Sequence, residues 1–266
     1  MKISIFILAI CLSAGCAIGA DIDYKKFGIE PGTAVFPSLK TGYALQYAEG
    51  IKNILKTEDG GKTWKVCRKG KVIMEHDDEA PEGESPGSEN IDILCFPDEN
   101  NSFAYGGGQI SIPIFLTTRD GGLTWEEAGP DKIELLICDG IQAMLMFSAN
   151  EGYILNLAGG LLKTSNGWKE AKKMYPGKPD DIYSPGWPVR DFICFRDINT
   201  GFLIVEKGVI YTADGGKTWR LTLPFDGYQA EKVVRMTDHV LIILKNTSLG
   251  YSSTNFGAAW NSCRWD

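Results

Sequence analysis

Short apolar runs, separated by polar stretches rich in glycine, recur along the whole chain. One set of runs reads GYALQYA from Gly42, SFAYGGG from Ser102, GYILNLA from Gly152, GFLIVEK from Gly201 and HVLIILK from His239. A second set follows these runs and reads NILKT, IFLTT, GLLKT, GVIYT and LGYSS. A third apolar stretch lies upstream and closes at Phe36, Phe96, Phe147 and Phe195. Runs of about 4–8 residues rich in β-branched and aromatic side chains are typical of β-strands. The pattern therefore predicts an all-β protein made of repeated strand groups.

Each second run leads into a conserved-looking polar segment. Three of these segments are nearly identical: TEDGGKTW at 57–64, TRDGGLTW at 118–125 and TADGGKTW at 212–219. STNFGAAW at 253–260 keeps the hydroxyl, amide, glycine and tryptophan positions, and TSNGW at 164–168 reads as a shortened copy. The copies begin 61, 46, 48 and 41 residues apart. Self-similarity at this spacing indicates a repeat architecture with about five units.

The repeated segment has the composition of a tight turn. Asp-Gly-Gly supplies positive φ angles, and its carboxylate can accept hydrogen bonds from turn amides. The tryptophan is a large apolar side chain suited to packing between neighbouring sheets. We therefore interpret the segment as a folding device and not as a catalytic motif. Its predicted structural positions are Thr57, Asp59, Gly61, Trp64, Thr118, Asp120, Gly122, Trp125, Asn166, Thr212, Asp214, Gly216, Trp219, Asn255, Gly257 and Trp260.

Each unit thus contains three strands, a hairpin carrying the turn segment, and a fourth strand that begins at the tryptophan. Four-stranded units repeated in this way form β-propellers. We expect residues 21–266 to be a single β-propeller domain of about five four-stranded antiparallel blades. Residues 21–35 could add a closing strand.

The pattern S/T-x-D-x-G-x-T-W resembles the Asp-box (BNR) repeat of sialidases and related glycosidases. The longer pattern, from the Gly-aromatic strand to the Thr-Trp pair, is most similar to the repeats of the photosystem II assembly-factor family. The resemblance covers nearly all of residues 36–260. It implies a non-enzymatic propeller whose ligands bind on the face opposite the Asp boxes. That family's propellers are usually seven-bladed, so five repeats depart from its pattern.

The first 20 residues have the pattern of a signal peptide. Lys2 precedes an apolar run that is too short to span a membrane, and small residues follow it. Two processing sites remain open: cleavage after Ala20, or a lipoprotein-type site that leaves Cys16 lipidated. The protein is expected to be exported, as a periplasmic, outer-membrane-anchored or secreted protein. Its net charge of −7 argues against nucleic acid and against a membrane partner other than through a lipid anchor.

Five cysteines lie outside this leader, at wide spacings and without a C-x-x-C pair: Cys67, Cys95, Cys138, Cys194 and Cys263. An oxidising compartment permits disulfides, but the number is odd. We expect at least one buried free thiol and up to two disulfides.

The usual catalytic motifs are missing. A sialidase needs an arginine triad, and its F/Y-R-I-P motif is absent; the first arginine is Arg68. The match to G-x-S-x-G at 83–87 places Pro86 where an oxyanion hole needs an N–H. The two histidines, His76 and His239, are isolated, so no metal site or cofactor is expected. The chain is not expected to be an enzyme.

Two insertions interrupt the repeat. Residues 75–90 are acidic and rich in Pro and Gly, and three readings remain open: a solvated loop, an interaction loop or a weak calcium site. Residues 175–190 combine four prolines with Tyr183, Trp187 and Arg190. These side chains are favoured at the centres of protein interfaces, although ordinary packing is the competing interpretation. The sequence therefore predicts a protein-binding scaffold, assembly factor or inhibitor, with a divergent sialidase-like glycoside hydrolase or a lectin as the alternative.

Overall fold

A computed structural model of the chain describes residues 22–73, 87–106, 114–128, 140–156, 160–175, 189–205, 207–225, 230–236, 238–245 and 247–264. The predicted leader, residues 1–20, lies outside this part of the chain. Apart from one short helix, α1 (Tyr24–Phe27), the regular elements are β-strands. None of the helical structure described is long and apolar enough to cross a membrane. The all-β prediction is confirmed.

The strands form five antiparallel sheets in which neighbours follow one another along the chain. The first sheet contains β1 (Gly42–Ala48), β2 (Ile51–Thr57) and β3 (Lys65–Arg68). A two-stranded ribbon follows, made of β4 (Val72–Ile73) and β5 (Gly87–Ser88). The second sheet contains β6 (Ile91–Cys95), β7 (Ser102–Gly106), β8 (Ile114–Thr118) and β9 (Glu126–Glu127).

The other three sheets have four strands each. They contain β10 (Ile141–Met146), β11 (Gly152–Asn156), β12 (Leu161–Thr164) and β13 (Lys172–Tyr175); then β14 (Val189–Phe195), β15 (Gly201–Val205), β16 (Gly208–Thr212) and β17 (Arg220–Pro224); and finally β18 (Ala230–Met236), β19 (His239–Leu244), β20 (Leu249–Ser253) and β21 (Asn261–Arg264). The chain divides into two compact units. One runs up to Tyr153 and includes Thr164–Ala171; the other comprises Ile154–Lys163 and the residues from Lys172 onward.

The residues before β1 complete the first sheet. Ile29 and Val35 make isolated antiparallel bridges to Gln46 and Tyr43 of β1, on the side where the other sheets carry a first strand. The side-chain amide of Gln46 also donates a hydrogen bond to the carbonyl oxygen of Phe27 at 2.8 Å. The expected N-terminal strand is therefore reduced to two bridges, and both are made to β1.

The second strands of the second, third and fourth sheets, β7, β11 and β15, form the centres of their cores. Every residue of β7 and of β15 is buried, which explains why these strands read as nearly continuous apolar runs. In the first unit, Tyr43 and Phe96 stack with ring centroids 3.6 Å apart inside a cluster that also holds Leu45 and Ile91. In the second unit, Phe202 and Phe256 lie in the equivalent cluster.

The structure describes four cysteines, and no two of them are joined in a disulfide: Cys67, Cys95, Cys194 and Cys263. Cys95 and Cys194 lie on β6 and β14, as the sequence predicted. Burial raises the pKa of Cys67 and of Cys194 to about 11, so both thiols stay protonated at neutral pH. Cys138 lies outside the described residues, and none of the described cysteines forms one of the two disulfides that the sequence left open.

Candidate functional site

Each Asp box is the turn between the last two strands of its sheet. Its first residue accepts, through its hydroxyl oxygen, a hydrogen bond from the backbone N–H four residues later. The donors are Gly61, Gly122, Trp168, Gly216 and Gly257, at 2.8–3.0 Å. The accepting hydroxyl residues, Thr57, Thr118, Thr164, Thr212 and Ser253, are almost completely buried. Because a buried N–H without a partner is costly, this hydroxyl fixes the path of the turn.

The aspartates of the first, second and fourth boxes are consumed by the turn itself. Oδ1 of Asp59 accepts hydrogen bonds from the hydroxyl of Thr57 at 2.8 Å and from the N–H of Thr63 at 2.9 Å, and Oδ2 accepts the hydroxyl of Thr63 at 2.6 Å. Asp120 and Asp214 repeat the arrangement. These hydrogen bonds, with the second threonine hydroxyl the strongest cause, lower the pKa of all three carboxyl groups from 3.8 to about 2.

The third and fifth boxes carry asparagine where the others carry aspartate. Oδ1 of Asn166 accepts the N–H of Glu170 at 3.0 Å, and Oδ1 of Asn255 accepts the N–H of Ala259 at 2.9 Å. Neither Glu170 nor Ala259 has a hydroxyl group that could donate a hydrogen bond to a second acceptor oxygen. An amide, with its single acceptor oxygen, is therefore sufficient in these two turns.

The third box has full length, which corrects the interpretation of TSNGW as a shortened copy. Trp168 donates its N–H to Thr164, so it occupies the position of the second glycine, and β13 begins at Lys172 just as β3 begins at Lys65. Ala171 then stands where the other boxes have tryptophan. Trp168 has a φ of 67° and is fully buried, with its indole N–H directed at the sulfur of Met146 at 3.2 Å. Such a φ is strained for a bulky side chain, and burial of the ring offsets the cost.

A second hydrogen bond ties each box to another turn of its own sheet, which joins the first two strands or, in the first sheet, precedes β1. The donor is the N–H at the fourth box position, and the acceptor is a backbone carbonyl of that turn. The pairs are Gly60 to Lys40, Gly121 to Asn100, Gly167 to Asn150, Gly215 to Asn199 and Phe256 to Asp238, at 2.8–3.0 Å. Each box and this turn therefore lie at the same end of their sheet.

Three of the box tryptophans pack on phenylalanines of their own repeat units, and two box tryptophans bond to the preceding sheet. Trp64, Trp125 and Trp219 meet Phe36, Phe96 and Phe195 edge to face, with centroids 5.9–6.5 Å apart. The indole N–H of Trp219 donates to the carbonyl of Met174 on β13, and that of Trp260 donates to the hydroxyl of Thr222 on β17. Those tryptophans thus reach the preceding sheet within their unit. Together the box contacts support a structural role.

The two ends of the acidic insertion are held together by contacts that the sequence pattern did not indicate. We call these contacts the root of the insertion. Arg68, at the end of β3, forms an ion pair with Glu89 at 2.6 Å, and both side chains are at most 10% exposed. Oε2 of Glu89 also accepts the N–H of Lys71 at 3.2 Å, and the N–H of Glu89 donates to the carbonyl of Lys71 at 2.9 Å. β4 and β5 pair just beyond this point. Of residues 75–90 the structure describes only 87–90, so the calcium reading stays a prediction; no group of three His, Cys, Asp or Glu in the described residues could hold a metal ion.

The candidate binding residues of the second insertion fall mostly outside the described residues. Tyr183 and Trp187 lie in the stretch 176–188, and Arg190 is the second residue of β14. Tyr175, the last residue of β13, packs edge to face on Trp219 with centroids 6.0 Å apart. Both insertions connect the last strand of one sheet with the first strand of the next, as the repeat pattern predicted.

Five of the described arginines bond to the protein itself. Within the first unit, Arg68 pairs with Glu89, and Arg119 donates to the carbonyl of Ala149. Within the second unit, Arg196 pairs with Asp197 and Asp238, Arg220 donates to the carbonyl of Ala258, and Arg235 donates to the carbonyl of Phe195. Arg119, Arg196, Arg220 and Arg235 also stack on aromatic rings. These guanidinium groups stabilise turns and neighbouring sheets.

The repeated four-stranded sheets and their turns have the fold class of a β-propeller. The model of the BNR/Asp-box repeat matches residues 210–221, which include the whole of the fourth box. No curated protein matches the sequence.

Among solved structures, the GH74 enzyme of Niastella koreensis is similar over 86% of this chain and 36% of its own, with 12% identity and a TM-score of 0.55. An ancestral GH74 enzyme is similar over 89% of this chain and 32% of its own, with 12% identity and a TM-score of 0.54. This chain therefore spans about a third of the length of those enzymes. YCF48 bound to a D1 peptide is similar over 88% of this chain and 82% of its own, with 14% identity and a TM-score of 0.42. At these identities the likeness to the two GH74 enzymes shows the fold alone.

Proposed function

We propose that this protein is an exported, non-catalytic β-propeller that binds a protein partner and serves as a scaffold, assembly factor or inhibitor. It needs no cofactor in this role. The observation that carries the proposal is the fixed root of the acidic insertion. A buried ion pair between Arg68 and Glu89, together with the β4–β5 ribbon, holds both ends of residues 74–86 in place. A segment that is anchored at both ends loses less conformational entropy when a partner binds it.

The charge of the insertion indicates the chemistry of the partner. Residues 74–86 contain six carboxylates and no lysine or arginine: Glu75, Asp77, Asp78, Glu79, Glu82 and Glu84. A complementary surface on the partner would be basic, which steers association and disfavours acidic competitors.

The second insertion supplies the apolar part of the contact in this proposal. Trp187, Tyr183 and Arg190 are residue types that dominate the energy of protein interfaces. The insertion contains four prolines, whose fixed φ angles restrict the backbone, and two of them lie between Tyr183 and Arg190. In this proposal the charges of the acidic insertion raise the rate of association. The aromatic side chains of the second insertion lengthen the residence time of the complex.

The engagement of the polar groups supports a non-catalytic role. The carboxylates of Asp59, Asp120 and Asp214 already accept three hydrogen bonds each, all from their own turns. The five arginines described above are held by carboxylates, carbonyls and rings of the protein. A sialidase-type centre would instead need three guanidinium groups directed at a substrate carboxylate.

The test is a quantitative pull-down from an envelope extract of the native host, with the mature chain 21–266 as bait. Trp187→Ala should weaken capture of the specific partner by about 2 kcal/mol or more, the usual threshold of an interface hot spot. Glu79→Gln combined with Glu82→Gln should slow association and reduce its salt dependence. Leu221→Ala, on the exposed side of β17, is the matched control and should leave capture unchanged.

Unchanged capture by Trp187→Ala would refute the interface role of the second insertion. Unfolding of that variant would instead identify Trp187 as a core residue. Capture of glycans and no protein would favour the lectin or hydrolase alternative.

A further inference from the structure

Two leucines stand out on the surface of the first unit. Leu123 and Leu39 are 78% and 76% exposed, and they are the most exposed large apolar side chains in the described part of the chain. Leu39 lies in the turn whose Lys40 carbonyl accepts the N–H of Gly60, and Leu123 lies in the second Asp box. They line two adjoining surface hollows of about 600 and 400 Å³, both of which include Glu58. The two leucines therefore belong to one patch at the box end of the first two sheets.

The N-terminal end of the described chain is fixed beside this patch. Ile22 packs with the cluster that holds Ile29 and Trp64, and a β-carbon placed on Gly61 would lie 3.4 Å from Cγ1 of Ile22. A β-carbon on the adjacent Gly60 would lie 3.0 Å from the carbonyl oxygen of Leu39. The chain thus enters the fold at the first Asp box, within a few residues of Leu39.

The distance from this entry point to the candidate lipidation site is short. Six peptide units separate Cys16 from Ile22. Fully extended, such a segment spans about 20 Å. A lipid on Cys16 would therefore keep the first Asp box within that distance of the bilayer surface.

We propose that, in the lipidated protein, the patch formed by Leu39 and Leu123 contacts the membrane and orients the first unit on it. The proposal rests on the lipoprotein alternative for export and not on the identity of a protein partner. Two leucines are too little apolar surface to bind a membrane alone, but a covalent anchor makes their insertion an intramolecular event.

The charges around the patch predict that the contact is insensitive to lipid charge. Lys40 and Lys65 line the two hollows together with Glu58 and Glu99, so basic and acidic groups are balanced. Attraction to anionic headgroups requires a clear excess of basic side chains. Contact through the leucines should therefore be equal on vesicles of phosphatidylcholine and on vesicles that also contain phosphatidylglycerol.

Lysine footprinting tests the orientation. The lipidated full-length product would be reconstituted into phosphatidylcholine vesicles and treated with a membrane-impermeant acetylating reagent, with the soluble chain 21–266 as reference. Lys40 and Lys62 should be labelled several-fold less in the vesicle-bound protein. The exposed Lys69 and Lys71 of the same unit, which follow β3 at its end away from the Asp box, should be labelled equally in both. The Leu39→Ser, Leu123→Ser double variant should remain vesicle-bound and recover the labelling of Lys40 and Lys62.

Equal labelling of Lys40 and Lys62 in both forms would overturn the proposal. Protection that persists in the double variant would show that the tether alone causes it and would overturn the role of the leucines. A mature N-terminus at Asp21, measured by mass spectrometry of native protein, would remove the anchor and with it the proposal. None of these results affects the pull-down described above, because its bait is the soluble chain.

Discussion

Thr218 donates two hydrogen bonds to Asp214, from its backbone N–H to Oδ1 at 2.9 Å and from its hydroxyl to Oδ2 at 2.6 Å. The same pair joins Asp59 with Thr63 and Asp120 with Thr124. Where the hydroxyl is missing, the carboxylate is replaced by the amide of Asn166 or Asn255. The identity of the third box residue therefore follows from the seventh, which is the behaviour of a structural turn.

Removing a box carboxylate should lower stability without affecting partner binding. Asp120→Ala or Asp214→Ala leaves the turn N–H and the two threonine hydroxyls without their acceptor, so the melting temperature should fall. Scanning calorimetry measures the melting temperature, and titration with the partner captured in the pull-down measures binding. Glu231→Ala, at an exposed position of β18, is the control and should leave the melting temperature unchanged. Loss of binding at an unchanged melting temperature would contradict the structural role.

The same carboxylates predict acid sensitivity. Their pKa falls from 3.8 to about 2 on folding, because hydrogen bonds from threonine stabilise the charged form. A group whose folded pKa is lowered contributes stability above its unfolded pKa and loses that contribution as pH falls towards its folded pKa. The urea concentration at the midpoint of unfolding should therefore decrease as the pH is lowered from about 4 to about 2. Asp214→Asn should flatten this decrease, and an unchanged slope in that variant would exclude Asp214 as a contributor.

Two box tryptophans make a matched pair for measuring one hydrogen bond. The indole N–H of Trp64 donates to the carbonyl of Gly61 at 3.0 Å, whereas the buried indole nitrogen of Trp125 has no hydrogen-bond partner in the part of the chain that the structure describes. Replacement by phenylalanine removes the same atoms at both sites. Trp64→Phe should therefore lower the free energy of unfolding by about 1 kcal/mol more than Trp125→Phe, in urea titrations of both variants. Equal losses would show that the hydrogen bond of Trp64 adds nothing to stability.

The regular part of the fold could be predicted because its signals are local. Strands such as β7 and β15 are recognisable in the sequence as apolar runs. The first, second and fourth boxes repeat nearly the same residues. The third box was misread because its only tryptophan, Trp168, looked like the terminal residue of the motif. The hydrogen bond from its N–H to Thr164 was needed to place it at the second glycine.

The contacts between distant residues could not be predicted. Arg68 and Glu89 are separated by the acidic insertion, and nothing in the spacing of either residue indicates the other. The bridges of Ile29 and Val35 to β1 are too short to leave a strand pattern in the sequence. Hydrophobic periodicity reports burial along one segment, whereas these contacts depend on how separate segments meet.

Removal of the indole ring of Trp168 from the strained turn of the third box should destabilise the protein. Trp168 is fully buried and packs edge to face on Phe115 with centroids 6.2 Å apart. Trp168→Gly would relieve the positive φ but leave a cavity, and large-to-small replacements of aromatic core residues cost about 3–5 kcal/mol. The variant should unfold at a clearly lower urea concentration. A more stable variant would show that backbone strain outweighs packing at this position.

The root of the acidic insertion yields the sharpest stability test. Glu89→Gln keeps the shape of the side chain but leaves the guanidinium group of Arg68 buried beside a neutral amide. Breaking a buried ion pair in this way costs about 3–5 kcal/mol, since one charge remains uncompensated. Replacing both partners, as Arg68→Met with Glu89→Leu, removes both charges and should cost less than Glu89→Gln alone. Among the described residues, Nη1 of Arg68 has no hydrogen-bond partner. Urea unfolding of the wild type, of Glu89→Gln and of the double variant measures the two losses in the free energy of unfolding. A loss for Glu89→Gln no larger than that of the exposed Glu231→Gln would mean that the ion pair does not hold the root, and the proposed presentation of the acidic insertion would lose its structural basis.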